Sequence, residues 1–79
     1  MILPYVSNAN AYESKTGIFA FFVVSNGSNL PVAEDGVILQ IRARDDALFQ
    51  VYFSGWNNLV YYRRKWGTTW SGWQLLRNN

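Results

Sequence analysis

The chain contains no cysteine and no histidine. The first absence removes disulfides and thiolate metal sites as stabilising devices. Together the two absences exclude the Ser-His-Asp and Cys-His nucleophile arrangements and any histidine-ligated metal centre. Charge is also scarce. Only 15% of residues are charged, against about 25% in an average domain. The net charge of +2 supplies no dense basic stripe of the kind that DNA-binding domains carry. No apolar run reaches the length of a transmembrane helix, and the opening MILPYVSN lacks the charged start and apolar core of a secretory signal.

Five carboxylates remain as candidate acid–base groups. A glycosidase needs two of them facing each other across a cleft, about 5 to 9.5 Å apart. Glu34-Asp35 and Asp45-Asp46 are instead neighbours in polar segments, where adjacent side chains point apart, and they read as solvated turn residues. They would share a calcium ion only if their two turns converged. The expectation is therefore a protein that is not an enzyme and uses neither metal nor cofactor.

What the chain does have is rings. Aromatics make up 18% of its 79 residues, including four tryptophans. A chain of this length is one domain with a marginal core. Without disulfides it must draw on aromatic packing, on association with other chains, or on both. The reading is a single domain over 1–79, with a lead-in over 1–11 and a core over 12–76.

Along the chain, Pro4 disfavours helix at Leu3. Ser7-Asn8 as a cap predicts a short helical turn over 9–12. A polar segment ending at Gly17 precedes IFAFFVV (18–24), a β-branched and aromatic run apolar on both faces. Such a strand is central, or covered on both sides. Asn26-Gly27 reads as a turn. The connection onward to Gly36 is long for a hairpin, where about two to five residues are usual.

Residues 37–44 (VILQIRAR) form the next predicted strand, with Val37, Leu39 and Ile41 opposite Ile38, Gln40, Arg42 and Arg44. Residues 48–54 (LFQVYFS) come after Asp45-Asp46, with Phe49, Val51 and Phe53 expected inward and Gln50, Tyr52 and Ser54 outward. After Gly55-Trp56-Asn57-Asn58, residues 59–65 alternate Leu59, Tyr61, Arg63 and Lys65 against Val60, Tyr62 and Arg64. Gly67 turns the chain into a last short strand over 70–76. The fold class is thus all-β or nearly so: a small antiparallel sheet or sandwich of four to five strands.

Six pieces then stand in a recognisable order: Gly17-Ile18-Phe19, Asn29-Leu30-Pro31, Gly36-Val37-Ile38-Leu39, Gln50-Val51-Tyr52, Tyr61-Tyr62-Arg63 and Trp70-Ser71-Gly72-Trp73. In that order and spacing the chain resembles the small knob domains near the receptor-binding ends of phage tail fibres and R-type pyocin fibres. The resemblance covers about 12–76. An Asp-Leu-Asn lead-in is missing, and Trp66 stands where a small polar turn residue is expected. The resemblance implies a homotrimer at the tip of a virion tail fibre or phage-like particle, made in a bacterial cytoplasm and attaching to bacterial surface polysaccharide. It also implies scaffold roles for Arg63, Trp70 and Trp73, with the guanidinium packed on an indole.

A sugar site pairs exposed rings with amides, hydroxyls and charged groups. Trp56-Asn57-Asn58 has that composition in a turn. The alternatives for Trp56 are a ring folded back as a lid and one buried between subunits. Trp66 shares that ambiguity. Tyr52, Tyr62 and Arg64 complete the candidate glycan-binding set. Arg42 and Arg44 are further candidates for acidic sugars, against surface or intersubunit ion pairs.

Two other readings use the same residues. One is a trimerisation or capping domain of a fibre, without receptor contact. The other is a small single-stranded nucleic-acid binder, suggested by the rings and charges interleaved over 61–66. Strand alternation divides that cluster between two faces, so neither nucleic-acid binding nor membrane insertion is expected.

Overall fold

The computed structural model describes residues 2–76. It is all-β: one curled sheet in the manner of a half-barrel, with no helix among the described residues. Seven strands run in chain order as β1 (Tyr5–Asn8), β2 (Ile18–Ser28), β3 (Gly36–Arg44), β4 (Ala47–Ser54), β5 (Val60–Trp66), β6 (Thr69–Trp70) and β7 (Gln74–Leu75). β1 to β6 lie side by side in that order, and β7 pairs with β5 beyond β6. β2 to β5 form an antiparallel meander, joined by a longer loop between β2 and β3 and by short turns after β3 and β4.

The lead-in departs from expectation. Its residues 5–8 form β1, which pairs parallel to β2 and makes the sheet mixed, and 9–12 hold no helical turn. Asn8 does act as a local cap, because its Oδ1 accepts the Asn10 N–H at 2.9 Å. Beyond it the chain runs through a string of tight turns, with N–H bonds from Ala11 to Asn8, Glu13 to Asn10 and Lys15 to Tyr12. Asn26-Gly27 is likewise no turn. Both residues lie inside the long β2. Gly27 is needed there for close approach, since a Cβ on it would sit 2.8 Å from the Ser7 carbonyl oxygen. The expected last strand over 70–76 is split into β6 and β7. At the break, the Ser71 N–H reaches the Arg64 carbonyl at 2.7 Å and the Ser71 hydroxyl accepts the Arg64 N–H at 2.9 Å.

Register divides the residues of the meander between two faces. On one, Phe21, Ile38, Tyr52 and Tyr61 stand abreast, and Phe19, Gln40, Gln50 and Arg63 form the next row. This inner face is covered. Val6 and Ala9 from the lead-in, Tyr12 just after it, Leu30 and Val32 from the β2–β3 loop, and Trp73 all pack on it. Tyr12 meets Phe19 and Phe21 edge-on at 4.7 and 5.1 Å between ring centroids. On the other face, Ala20, Leu39, Val51 and Tyr62 stand abreast, flanked by a row of Ile18, Ile41, Phe49 and Arg64 and a row of Phe22, Val37, Phe53 and Val60. No segment among the described residues covers this outer face.

β4 therefore faces the opposite way from the sequence reading. Gln50, Tyr52 and Ser54 are buried, whereas Phe49 and Phe53 are exposed. The reason is that the inner polar groups have partners. Gln50 Nε2 donates to the Ala9 carbonyl and to Gln40 Oε1, both at 2.8 Å. Gln40 Nε2 donates to the Tyr12 carbonyl at 2.7 Å. A buried amide that keeps its hydrogen bonds loses little on desolvation. No buried side-chain nitrogen or oxygen among the described residues lacks a partner.

Candidate functional site

The candidate ligand residues fall into three separate places. Trp56, Asn57 and Asn58 form the β4–β5 turn and are all exposed, with 58% of Trp56 accessible. The turn is held from below. The Ser54 hydroxyl accepts the Trp56 and Asn57 N–H groups at 3.2 Å each. That hydroxyl itself donates to the Glu34 carboxylate, whose other oxygen accepts from Asn57 Nδ2. Asn58 closes the turn in the left-handed region, at φ 56°, a conformation asparagine tolerates better than most residues. Asp35 ties the same turn to the β2–β3 loop, since its carbonyl accepts the Gly55 N–H at 2.8 Å and its Oδ1 accepts the Ser25 N–H at 2.7 Å.

Glu34 is thus a positioning residue for the turn, where the sequence suggests only a solvated or calcium-binding carboxylate. The calcium arrangement does not form. Glu34-Asp35 precede β3 and Asp45-Asp46 come after it, so the pairs lie at opposite ends of a nine-residue strand, and no metal-holding cluster exists among the described residues. Asp46 instead takes the Arg44 guanidinium at 2.9 Å.

Tyr52 is in the second place, the core. It is fully buried and its hydroxyl donates to the Glu34 carbonyl, so it offers no surface to a ligand. Its ring meets Tyr61 and Trp73 edge-on, each at 6.1 Å. Burial, then the Glu34 and Asp35 carboxylates and Tyr61, push its pKa up to about 12.

Tyr62, Arg64 and Trp66 occupy the third place, the outer face, with Trp66 at the far end of β5 from Trp56. Phe49 meets Trp66 edge-on at 6.4 Å, and the Arg44 and Arg64 guanidiniums lie 5.4 and 5.9 Å from its ring. A groove of about 330 Å³ runs between Phe49, Val51, Tyr62, Arg64, Ser71 and Gln74, at the β4–β5 ladder and its edge. Arg42 is committed elsewhere. Its donors reach the Lys15 and Asp45 carbonyls at 3.0 and 2.8 Å, and also the Glu13 carbonyl, stitching the turns before β2 to the sheet.

Arg63 is buried between two indoles, 3.7 Å from the Trp70 ring centroid and 4.6 Å from that of Trp73. Its Nε donates to Gln50 Oε1 at 2.8 Å and its Nη2 to Asn10 Oδ1. No carboxylate pairs with it among the described residues. Burial lowers its pKa to about 10, with Glu13 acting in the opposite direction, so it stays cationic at neutral pH. The Trp73 indole N–H donates to the Asn29 carbonyl at 2.8 Å, which fastens the break between β6 and β7 to the β2–β3 loop. The rings and charges over 61–66 are accordingly divided: Tyr61, Arg63 and Lys65 face inward, Tyr62, Arg64 and Trp66 outward.

No protein-family model, curated protein or solved structure matches the chain.

Asn10, Gln50 and Ser54, which hold Arg63 and the Trp56 turn, do not stand out as site residues in the sequence. The available signal is Gln40 and Gln50, each a long polar side chain flanked on both sides by apolar residues at the centre of its strand.

Proposed function

We propose that this chain is a non-enzymatic receptor-binding domain of a phage or phage-like tail fibre, acting as a homotrimer that attaches to bacterial surface polysaccharide. The observation that carries the reading is the Trp56 turn. An indole projects into solvent beside two asparagine side chains, on a backbone fixed by Glu34, Ser54 and Asp35. Such a turn presents a flat apolar ring to the C–H face of a sugar and amides to its hydroxyls, with little ordering left to do on binding. The order of motifs shared with fibre knobs supplies the biological setting. A shallow site of this kind binds weakly on its own, and three copies per fibre on several fibres raise the effective affinity through avidity.

The test is adsorption of the purified chain to a panel of bacterial cells and to their extracted surface polysaccharides. Trp56→Ala is expected to abolish adsorption while leaving the circular dichroism and urea midpoint unchanged. Adsorption that survives the substitution removes the turn as the site.

A second reading, a trimerisation or capping domain of such a fibre without receptor contact, is favoured by a different observation: the open outer face. Under that reading the chain associates with itself but adsorbs to no cell or glycan in the panel.

A further inference from the structure

A sheet that carries apolar residues on both faces needs a second layer on each. Here the inner face has one and the outer face does not. Its exposed large residues include Ile18 at 73% and Phe53 at 44%, and Tyr5 extends it at the β1 edge by stacking on Phe22 at 5.2 Å.

Four strands about 4.8 Å apart, each presenting three residues about 6.8 Å apart on this face, span on the order of 400 Å² before the relief of the side chains is counted. That equals the largest apolar patches found on ordinary monomers, about 300–600 Å², which are themselves usually functional. Buried between neighbouring copies, such a face with its side-chain relief and Tyr5 removes on the order of 1,000 Å² from water per contact, the size at which specific interfaces begin.

We infer that the outer face of β2 to β5 is the surface on which a second copy of this chain docks. Charge selects this occupant. Arg64 is the one charged residue in the three rows and stands at a corner, in a flanking row on β5, so the apolar rows of two copies meet without opposing charges, and a charged partner finds almost nothing to pair with. A lipid surface is disfavoured by the same count. Interfacial segments carry clusters of basic residues around their apolar face, whereas here Arg64 is joined only by Arg44, which is engaged with Asp46. The composition, phenylalanine and branched aliphatics with one tyrosine, is that of the apolar core of an interface between copies.

Docking places Tyr62 and Arg64 against the partner copy, where they position subunits instead of sugar. It leaves the Trp56 turn at the sheet's end. The inference deepens the fibre reading, and it rests on that reading only for the number of copies.

The experiment is light scattering after size exclusion over a wide range of concentration, for the 79-residue chain and for Phe53→Lys, Ile18→Lys and Thr68→Lys, with circular dichroism on each. Ile18 is so exposed that its replacement leaves the fold intact even if Phe53→Lys does not fold. The wild-type chain and Thr68→Lys, a control in the β5–β6 turn, are expected at a multiple of the chain mass. Ile18→Lys, and Phe53→Lys where folded, are expected at the mass of one chain. A wild-type chain that stays monomeric throughout overturns the inference. So do folded face variants that keep the assembled mass, or a monomer that co-sediments with neutral phosphatidylcholine vesicles. Cell adsorption measured on the same samples separates the two proposals. Assembly through this face without adsorption defeats the receptor reading alone, and adsorption by a monomer defeats the docking face alone.

Discussion

The two faces of the β2–β5 meander invert the usual distribution of residues. The inner one buries Gln40, Gln50, Ser54 and Arg63; the outer one leaves Phe49, Phe53 and Ile18 in water. What separates them is hydrogen bonding. On the inner face each polar group meets another, or a carbonyl of the lead-in, so desolvation is offset and the rings of Phe21, Tyr52 and Trp73 pack around a closed network. On the outer face the Arg64 guanidinium and the Tyr62 hydroxyl are left to solvent, and the rest is apolar area to cover. The inner face holds the fold together within one chain. The outer face is the part a second chain can complete.

Substitutions on alternate residues test this contrast. The largest effect is expected from Arg63→Ala, which removes two charge-assisted hydrogen bonds and two ring contacts and leaves Gln50 and Asn10 without their donor. A loss on the order of 3 kcal/mol is expected, read as a lower urea midpoint. An unchanged midpoint breaks the claim that the polar network holds this face.

Gly36→Ala is next in size. Its Cβ would lie 2.5 Å from the Phe53 carbonyl oxygen and 2.9 Å from a Tyr52 ring carbon. Overpacking of this kind costs about 1–3 kcal/mol, and the added strain should also loosen the Tyr52 ring, visible as greater near-ultraviolet solvent exposure.

Tyr52→Phe removes one buried hydrogen bond, worth about 1 kcal/mol, and its effect depends on pH. The folded-state pKa of Tyr52 is raised from 10.0 to about 12. Its contribution is therefore full below pH 10 and lost as pH rises through about 12. Arg63 is shifted oppositely, to about 10, so total alkaline stability blends the two. The difference between wild type and Tyr52→Phe isolates the tyrosine and should shrink from pH 10 upward. A constant difference contradicts the burial of that hydroxyl.

The smallest effect is expected from Phe53→Ser, one residue along the same strand. In the dissociated chain at high dilution its stability should change by no more than about 0.5 kcal/mol, as for an ordinary surface site. A loss comparable to that of Arg63→Ala would erase the distinction between the faces.

The meander is legible in the sequence, because β-branched and aromatic runs broken at Gly36, Asp45-Asp46 and Gly55–Asn58 leave few other arrangements. So are the faces of β5, and those of β3 up to Arg42, after which a bulge turns Arg44 to the outer face against its alternation. The orientation of β4 is not, because alternation says which residues share a face and leaves open which face is buried. That choice depends on partners far along the chain: Ala9 and Asn10 for the Gln50–Arg63 pair, Glu34 for Ser54 and Tyr52. The Trp56 turn is visible as composition, but its clamp is not, since Glu34 and Asn57 meet only when the β2–β3 loop folds against the β4–β5 turn.

Local chemistry, written in the order of residues, determined the four strands of the meander and the turns at Asp45-Asp46, Gly55–Asn58 and Gly67. Tertiary structure alone decided that β1 runs parallel to β2, that Tyr52 and Arg63 lie inside, and that Tyr62, Arg64 and Trp66 share an open apolar face. Those outcomes result from the lead-in folding across one side of the sheet, a long-range event that no local period encodes.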